Sequence, residues 1–231
     1  SRYFRRMLDE ISTMIRASRM PPDGVPQGGM HELRHVYAEL AEVSKDYHEA
    51  RQHANLDKLT GLYNRRFFDE RLNRLLLEQH AFCLAMIDLD GFKLVNDNYG
   101  HQTGDVVLKR VAKLGNQLLE DHGWVCRYGG EELVVLLANP DIHFCQMLLE
   151  QYRIGVASLD WREPGLGITF SGGLVASAPG LDAKELLDIV DAEVYRAKRD
   201  GKNRIYLGGI APSAQNEVPS EDDGLLSKEE A

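Results

Sequence analysis

Hydrophobic positions along the chain change their period several times, and each change marks an element. Near the N-terminus Phe4, Leu8, Ile11 and Ile15 are spaced four, three and four apart. Leu33, Val36, Leu40, Val43, Tyr47, Ala50 and Ala54 then alternate three and four without a break. That second series is a heptad seam about three repeats long, a pattern that favours helices packing side by side. Pro21-Pro22-Asp23-Gly24-Val25-Pro26-Gln27-Gly28-Gly29 cannot be helical and predicts a connector between the two series. Beyond residue 55 the pattern becomes that of a mixed domain. Apolar residues recur at helical spacing over Arg65–Gln79, Thr103–Leu119, Ile142–Ser158 and Asp182–Asp200. Short runs consistent with strands fall at about 82–88, 124–128, 133–138, 166–176 and 203–207. Helices alternating with an antiparallel hairpin in one sheet predict an α+β sandwich.

Composition narrows this picture only a little. The 231 residues suit one full domain, here 56–208, preceded by an accessory helical segment, 1–55. Charged residues make up 27% and hydrophobic ones 43%, as in an ordinary soluble protein, and no apolar stretch has the roughly 20 residues that span a membrane. The pattern is already helical at Ser1, which predicts a fragment with a sensor or membrane segment upstream. Cys83, Cys126 and Cys145 lack metal-ligand spacing and are expected as buried reduced thiols, in keeping with a cytoplasmic catalytic domain. The net charge of −9 is concentrated in the tail, since residues 211–231 carry one Lys against six Asp and Glu. That tail, from about residue 209, has few large apolar residues and is expected to be disordered. A mildly acidic globular part without a Lys/Arg cluster argues against duplex nucleic acid as a partner.

Chemistry concentrates at two acidic sites. Gly129-Gly130-Glu131-Glu132-Leu133 lies between two β-prone runs and predicts a hairpin turn that carries adjacent carboxylates. The apolar run Phe82–Ile87 delivers Asp88 at the end of a buried strand, followed by Leu89-Asp90-Gly91-Phe92-Lys93-Leu94-Val95-Asn96-Asp97. If that strand pairs beside the hairpin, Asp88 and Glu131 face each other and repel unless a hard cation lies between them. Mg²⁺ suits oxygen ligands, retains waters and is completed by substrate phosphates. Lys93 lies close enough along the chain to meet a phosphate.

On these motifs the chain resembles the GGDEF family of diguanylate cyclases, with Gly129–Leu133 as the signature in its Gly-Gly-Glu-Glu form. Three further segments match in order: Asp57–Arg66, Tyr99–Asp105 and Ala197–Asn203. The resemblance covers about residues 54–208 and implies a palm-like nucleotidyl cyclase sandwich, a central, mostly antiparallel sheet flanked by helices. It also implies condensation of two GTP into cyclic di-GMP and two pyrophosphates, at a site shared by two copies of the chain. It further implies Asp88, Glu131 and the Leu89 carbonyl as ligands of Mg²⁺, two ions per site, with Mn²⁺ as a substitute. Glu132 is implied as a second-metal ligand or proton acceptor. Asn96 and Asp105 fall at the positions that read the guanine edge, and Lys93, Lys198 and Lys202 at those that hold the triphosphate. The family more often has Arg at the position of Lys202.

The N-terminal segment resembles a HAMP signalling module, with a plain coiled coil or helical hairpin as the alternative; both imply a homodimer. Where many family members carry an inhibitory Arg-x-x-Asp tetrad, this chain has Glu120-Asp121-His122-Gly123, so product inhibition through that site is expected to be missing. Several residues have bland readings. His101 is expected to make a structural contact, and Asp57 and Arg66 to tie the N-terminal turn to the domain body. Tyr128 is expected to pack, Phe67 and Phe68 to belong to the core, and Lys109 and Arg110 to lie on a solvated face. Two other functions fit parts of the sequence: a catalytically silent domain that binds GTP or a protein, and a cyclase for an adenine-containing dinucleotide. Retention of every signature acid opposes the first, and Asp105 opposes the second.

Overall fold

A computed structural model describes residues 54–209. The heptad seam up to residue 53, the connector before it and the acidic tail from residue 210 lie outside the described residues. In chain order the elements are β1 (Tyr63–Asn64), α1 (Arg65–Leu77), β2 (Cys83–Asp90), α2 (Phe92–Tyr99), α3 (His101–Leu119), β3 (Gly123–Gly129) and β4 (Glu132–Leu137). There follow α4 (Ile142–Ala157), β5 (Thr169–Ala176), α5 (Ala183–Arg199) and β6 (Ile205–Leu207). The strands form one sheet in the order β1-β3-β4-β2-β5-β6. The four central strands pair antiparallel, and each edge strand adds in parallel, β1 to β3 and β6 to β5.

The period of each strand explains its place. Strand β2 is central, so both of its faces are covered and its apolar run is continuous rather than alternating. Cys83, Ala85, Ile87 and Leu89 enter the core on one side of the sheet with Val107 and Val111 of α3 and Tyr152 of α4. Leu84 and Met86 enter the core on the other side, with Phe68 and Leu72 of α1 and Val190 of α5. Asp88 continues this second series, so the strand's pleat turns it toward the α5 side. Residues 166–168 do not join β5 as the sequence pattern suggested; they end a loop that contains Pro164 and Gly165.

Helix starts follow local chemistry. Asn64 caps α1 by accepting from the Phe67 N–H at 3.1 Å. Asp141 accepts from His143 and Phe144 at the start of α4. Asp182 and Glu185 form a reciprocal capping box at α5. Two short elements escape the periodicity reading: β1, with two residues, and α2, with eight. Helix α2 buries only Phe92 and Val95, too few positions for a helical period to stand out.

Candidate functional site

Strands β2 and β4 pair with Asp88 directly opposite Glu132, so both side chains stand on the α5 side of the sheet. Between β3 and β4 the chain turns in two residues, Gly130 and Glu131. Gly130 has φ +29, and Glu131 is delivered beside Asp88. The N–H of Leu89 reaches the Glu131 carbonyl at 3.4 Å, joining the end of β2 to the turn. Helix α5 ends in a turn carrying Arg196, Lys198 and Arg199, a favourable placement of cations at a helix C-terminus. Lys198 Nζ lies 2.6 Å from Asp88 Oδ2.

The other carboxylate oxygen, Asp88 Oδ1, is buried without a hydrogen-bond partner. A desolvated charged oxygen without a donor costs at least about 1–3 kcal/mol, and a cation bound there removes that cost. Burial raises the Glu131 carboxyl above its ordinary value; Asp88 adds to the shift, Lys198 offsets part of it and Glu132 raises it further. Among the described residues no group of three or more His, Cys, Asp or Glu side chains gathers in metal-binding geometry. The donors on hand are two or three carboxylate groups and main-chain carbonyls. Such a set fits Mg²⁺, which keeps several waters and takes phosphate oxygens, better than a metal that needs a closed protein cage.

A second cluster forms where α2 meets α3. Asn96 of α2 packs against the first turn of α3 at Gly104, next to Asp105. A Cβ at position 104 would lie 2.0 Å from Asn96 Oδ1, so glycine is required there for close approach. Asp105 itself is exposed. Lys93 is exposed in the first turn of α2, and Lys202 is exposed in the loop between α5 and β6. The fold therefore gathers Asp88, Glu131, Glu132 and Lys198 at one end of the sheet and brings Asn96 beside the helix turn of Asp105. Lys93 and Lys202 stay solvent-facing.

Two residues were missed by sequence reasoning. Arg127 of β3 donates through Nε and Nη2 to the Gly130 carbonyl at 3.0 and 2.8 Å, and through Nη1 to Asp57 at 3.1 Å. It thereby ties the signature turn to the N-terminal turn of the domain. Burial alone would push Asp57 up, but Thr60, through its hydroxyl and N–H, and Arg127 hold the carboxyl below its ordinary value. Asp90 is the second, accepting from Thr169, Ser171 and the Asn203 N–H. In sequence, Arg127 is a lone charge in a strand and Asp90 one more acid in an acidic motif, so neither carries a periodic signal.

Asp57 does anchor the N-terminal turn, and Arg66 reaches Asn55 at 2.9 Å. Tyr128 packs edge-on to Phe68 with Arg65 over its ring, and Phe68 is fully buried. Phe67 is only partly buried and stacks on Tyr63 at 3.9 Å. Lys109 is exposed, but Arg110 is not simply solvated: it covers Trp161 at 4.5 Å and donates to the Asp160 carbonyl. His101 is exposed at the start of α3. All three thiols are buried and free. The tetrad Glu120–Gly123 joins α3 to β3 and borders a shallow cavity of about 260 Å³ with Trp124 and Asn139.

The family described as diguanylate cyclase, GGDEF domain, matches residues 54–204. Among curated relatives, the diguanylate cyclase DgcP of Pseudomonas aeruginosa is 34% identical over 190 residues, which cover 78% of this chain and 28% of that protein. Among solved structures, the coiled coil and GGDEF domain of DgcB from Caulobacter crescentus, in complex with c-di-GMP, superposes with a TM-score of 0.69 at 30% identity. The match covers 78% of this chain and all of that one. The active GGEEF domain of a diguanylate cyclase from Vibrio cholerae gives a TM-score of 0.60 at 32% identity, over 65% of this chain and 99% of that one. The matched region spans 28% and 51% of the first two curated relatives. Among the described residues no helix is long and apolar enough to cross a membrane.

Proposed function

This chain belongs to the GGDEF family of diguanylate cyclases, and from that premise we propose that it condenses two GTP into cyclic di-GMP and two pyrophosphates. The observation that carries the reading is the state of Asp88. One oxygen pairs with Lys198 at 2.6 Å, and the other is buried and unpartnered beside Glu131, whose carboxyl is held above its ordinary value. A site so anionic at the open end of a sheet suits a divalent cation carrying a polyphosphate. The Gly-Gly-Glu-Glu signature is shared with a relative whose GGEEF domain is described as active.

In this proposal Asp88, Glu131 and the Leu89 carbonyl hold Mg²⁺, with Glu132 serving a second ion or accepting a proton. When bound, Mg²⁺ neutralises charge on the triphosphate and favours ionisation of the attacking hydroxyl. The protein's own share is positioning and electrostatics. Asp105 accepts from guanine N1–H and the exocyclic amine, donors that adenine does not present together, while Asn96 binds alongside. Lys93, Lys198 and Lys202 hold the triphosphate. Each GTP's 3′-oxygen bonds to the other's α-phosphorus as the bond to the β-phosphate breaks. The hydroxyl proton leaves to a carboxylate or water, and pyrophosphate departs. One domain holds one GTP, so two copies must face each other. We assign that pairing to the helical segment 1–55 of a homodimer, with the 56–208 domain working in the cytoplasm. Glu120-Asp121-His122-Gly123 offers no Arg to clamp a product phosphate, so product inhibition through that position is absent in this reading.

Incubation with GTP and Mg²⁺, then product identification with ATP run in parallel, tests the reading. Cyclic di-GMP with pyrophosphate, from GTP alone, is expected. GTP bound without any product would make the chain a silent signalling domain, and product from ATP would overturn the base assignment.

A further inference from the structure

Helix α5 hands over to β6 through a backbone of unusual conformation. Gly201, Lys202 and Asn203 have φ values of +109, +63 and +48, three left-handed residues in succession. Only the first is a glycine; asparagine tolerates this region better than most residues, so the disfavoured backbone centres on Lys202. Such a conformation persists only when surrounding contacts over-determine it. Here the contacts come from three directions. The Lys202 N–H donates to the Ala197 carbonyl of α5 at 2.9 Å. The Asn203 N–H donates to Asp90 Oδ2 at 3.0 Å. The Asn203 side-chain oxygen accepts from Arg153 Nη1 of α4 at 2.8 Å, and Arg153 is held by Glu150 at 2.7 Å.

Asp90 is the centre of this arrangement. Its Oδ2 also accepts from the Thr169 hydroxyl and its Oδ1 from the Ser171 hydroxyl, each at 2.7 Å. Ser171 is fully buried in β5, so its hydroxyl depends on Asp90 for a partner. The carboxylate receives three donors on its two oxygens and lies two residues from Asp88 on the same strand. Asp88 has an oxygen without a partner, whereas Asp90 has both oxygens engaged with protein donors. Two acids of one motif therefore have different occupations: one is open to a ligand, and the other is spent on the backbone of the loop that carries Lys202.

We propose that Asp90 is a positioning residue for the phosphate-holding segment Lys198–Asn203, fixing the strained Lys202–Asn203 backbone against the end of β2 and β5, with Arg153 as a second brace. The inference rests on the reading of Lys198 and Lys202 as triphosphate ligands. Its chemistry predicts a ranking of variants. Asp90→Ala leaves the Asn203 N–H and the Ser171 hydroxyl without their partner and frees the loop. Asp90→Asn keeps an oxygen for Asn203 and Thr169 and turns its amide toward Ser171, whose hydroxyl can also accept. Arg153→Ala removes only the brace.

Steady-state kinetics with GTP and Mg²⁺ on wild type and the three variants tests this, with hydrogen exchange at the Asn203 amide measured alongside. Asp90→Ala is expected to raise KM about tenfold with kcat within about threefold of wild type. Asp90→Asn should recover most of the loss, and Arg153→Ala should fall between. An unchanged KM in Asp90→Ala, or a loss confined to kcat, would overturn the proposal, because a general packing defect or a role at the metal would look that way. Should wild type itself yield no cyclic product from GTP, the functional reading fails and the exchange data decide the positioning role. Faster Asn203 exchange in Asp90→Ala, restored in Asp90→Asn, supports it, and unchanged exchange rejects it.

Discussion

Lys198 and Asp88 are joined at 2.6 Å across the end of the sheet, with the Asp88 side chain only 13% exposed. Without ligand the lysine satisfies half of the carboxylate and competes with any metal for it. Lys198→Met removes that competition and, with it, a cation proposed to hold the triphosphate. Mg²⁺ or Mn²⁺ affinity without nucleotide should then rise about fivefold, on the scale of a partly exposed charge pair of about 1 kcal/mol. KM for GTP should rise at least about tenfold, as expected for losing a charged hydrogen bond. Calorimetric titration of the metal and a GTP saturation curve check the two halves. Weaker metal binding in the variant would show that Lys198 assists the metal rather than competing with it.

Asp88→Asn and Glu131→Gln each remove a charge from the proposed cation site. Turnover should fall by at least about 100-fold, since a bound metal supplies several kcal/mol of charge stabilisation. Far-UV circular dichroism should be unchanged, because neither side chain belongs to the core clusters. Near-normal cyclisation of GTP by both variants would rule out the metal assignment.

Glu131 gives a dependence on pH whose sign can be worked out. Its carboxyl lies above the ordinary value of 4.5, through burial first and Asp88 second, with Lys198 pulling against them. The folded protein therefore holds that proton more tightly than the unfolded chain. Stability falls as pH rises from the ordinary glutamate value through the raised one, and above it the ionised group is a standing cost. In metal-free buffer at neutral pH, Glu131→Gln should melt at a higher temperature than wild type, and the gain should vanish below the ordinary carboxylate range. Added Mg²⁺ should raise the Tm of wild type more than that of the variant. A lower Tm for Glu131→Gln at neutral pH would contradict this account.

Much of this was legible in the sequence because the relevant signals are periodic or punctuated. The apolar run before Asp88 required a central strand, and the paired glycines required a turn. Once the two were neighbours in one sheet, the carboxylates met. The Glu131 side chain was expected to oppose Asp88, yet the residue directly across the ladder is Glu132, while Glu131 approaches from the turn and its carbonyl meets the Leu89 N–H. A hairpin's register depends on which residues occupy the turn, and two adjacent glutamates leave that undecided in sequence. Arg127 and Asp90 were not legible at all. Apart from the Gly130 carbonyl across the turn, their partners are 70 residues away for Asp57, and 79, 81 and 113 away for Thr169, Ser171 and Asn203. Spacing along one element carries no information about such contacts.

Base selection is the sharpest test of the α2–α3 cluster, because two substitutions should damage it by different routes. Asp105→Ser exchanges a carboxylate that can accept from two guanine donors for a single hydroxyl. Guanine preference should drop by at least about tenfold, on the scale of one lost hydrogen bond to a charged group. Gly104→Ala leaves every polar group in place, but its methyl group would sit 2.0 Å from Asn96 Oδ1 and 3.2 Å from the Phe92 ring. Phe92 is buried and cannot retreat, so Asn96 must move. Overpacking of this kind costs about 1–3 kcal/mol, and here it should appear chiefly as a raised KM for GTP, with the metal affinity unchanged. Competition between GTP and ATP, with metal titrations on both variants, separates the two routes. Unaltered discrimination in Asp105→Ser would remove Asp105 from base reading, and an unaltered KM in Gly104→Ala would remove Asn96 from the nucleotide site.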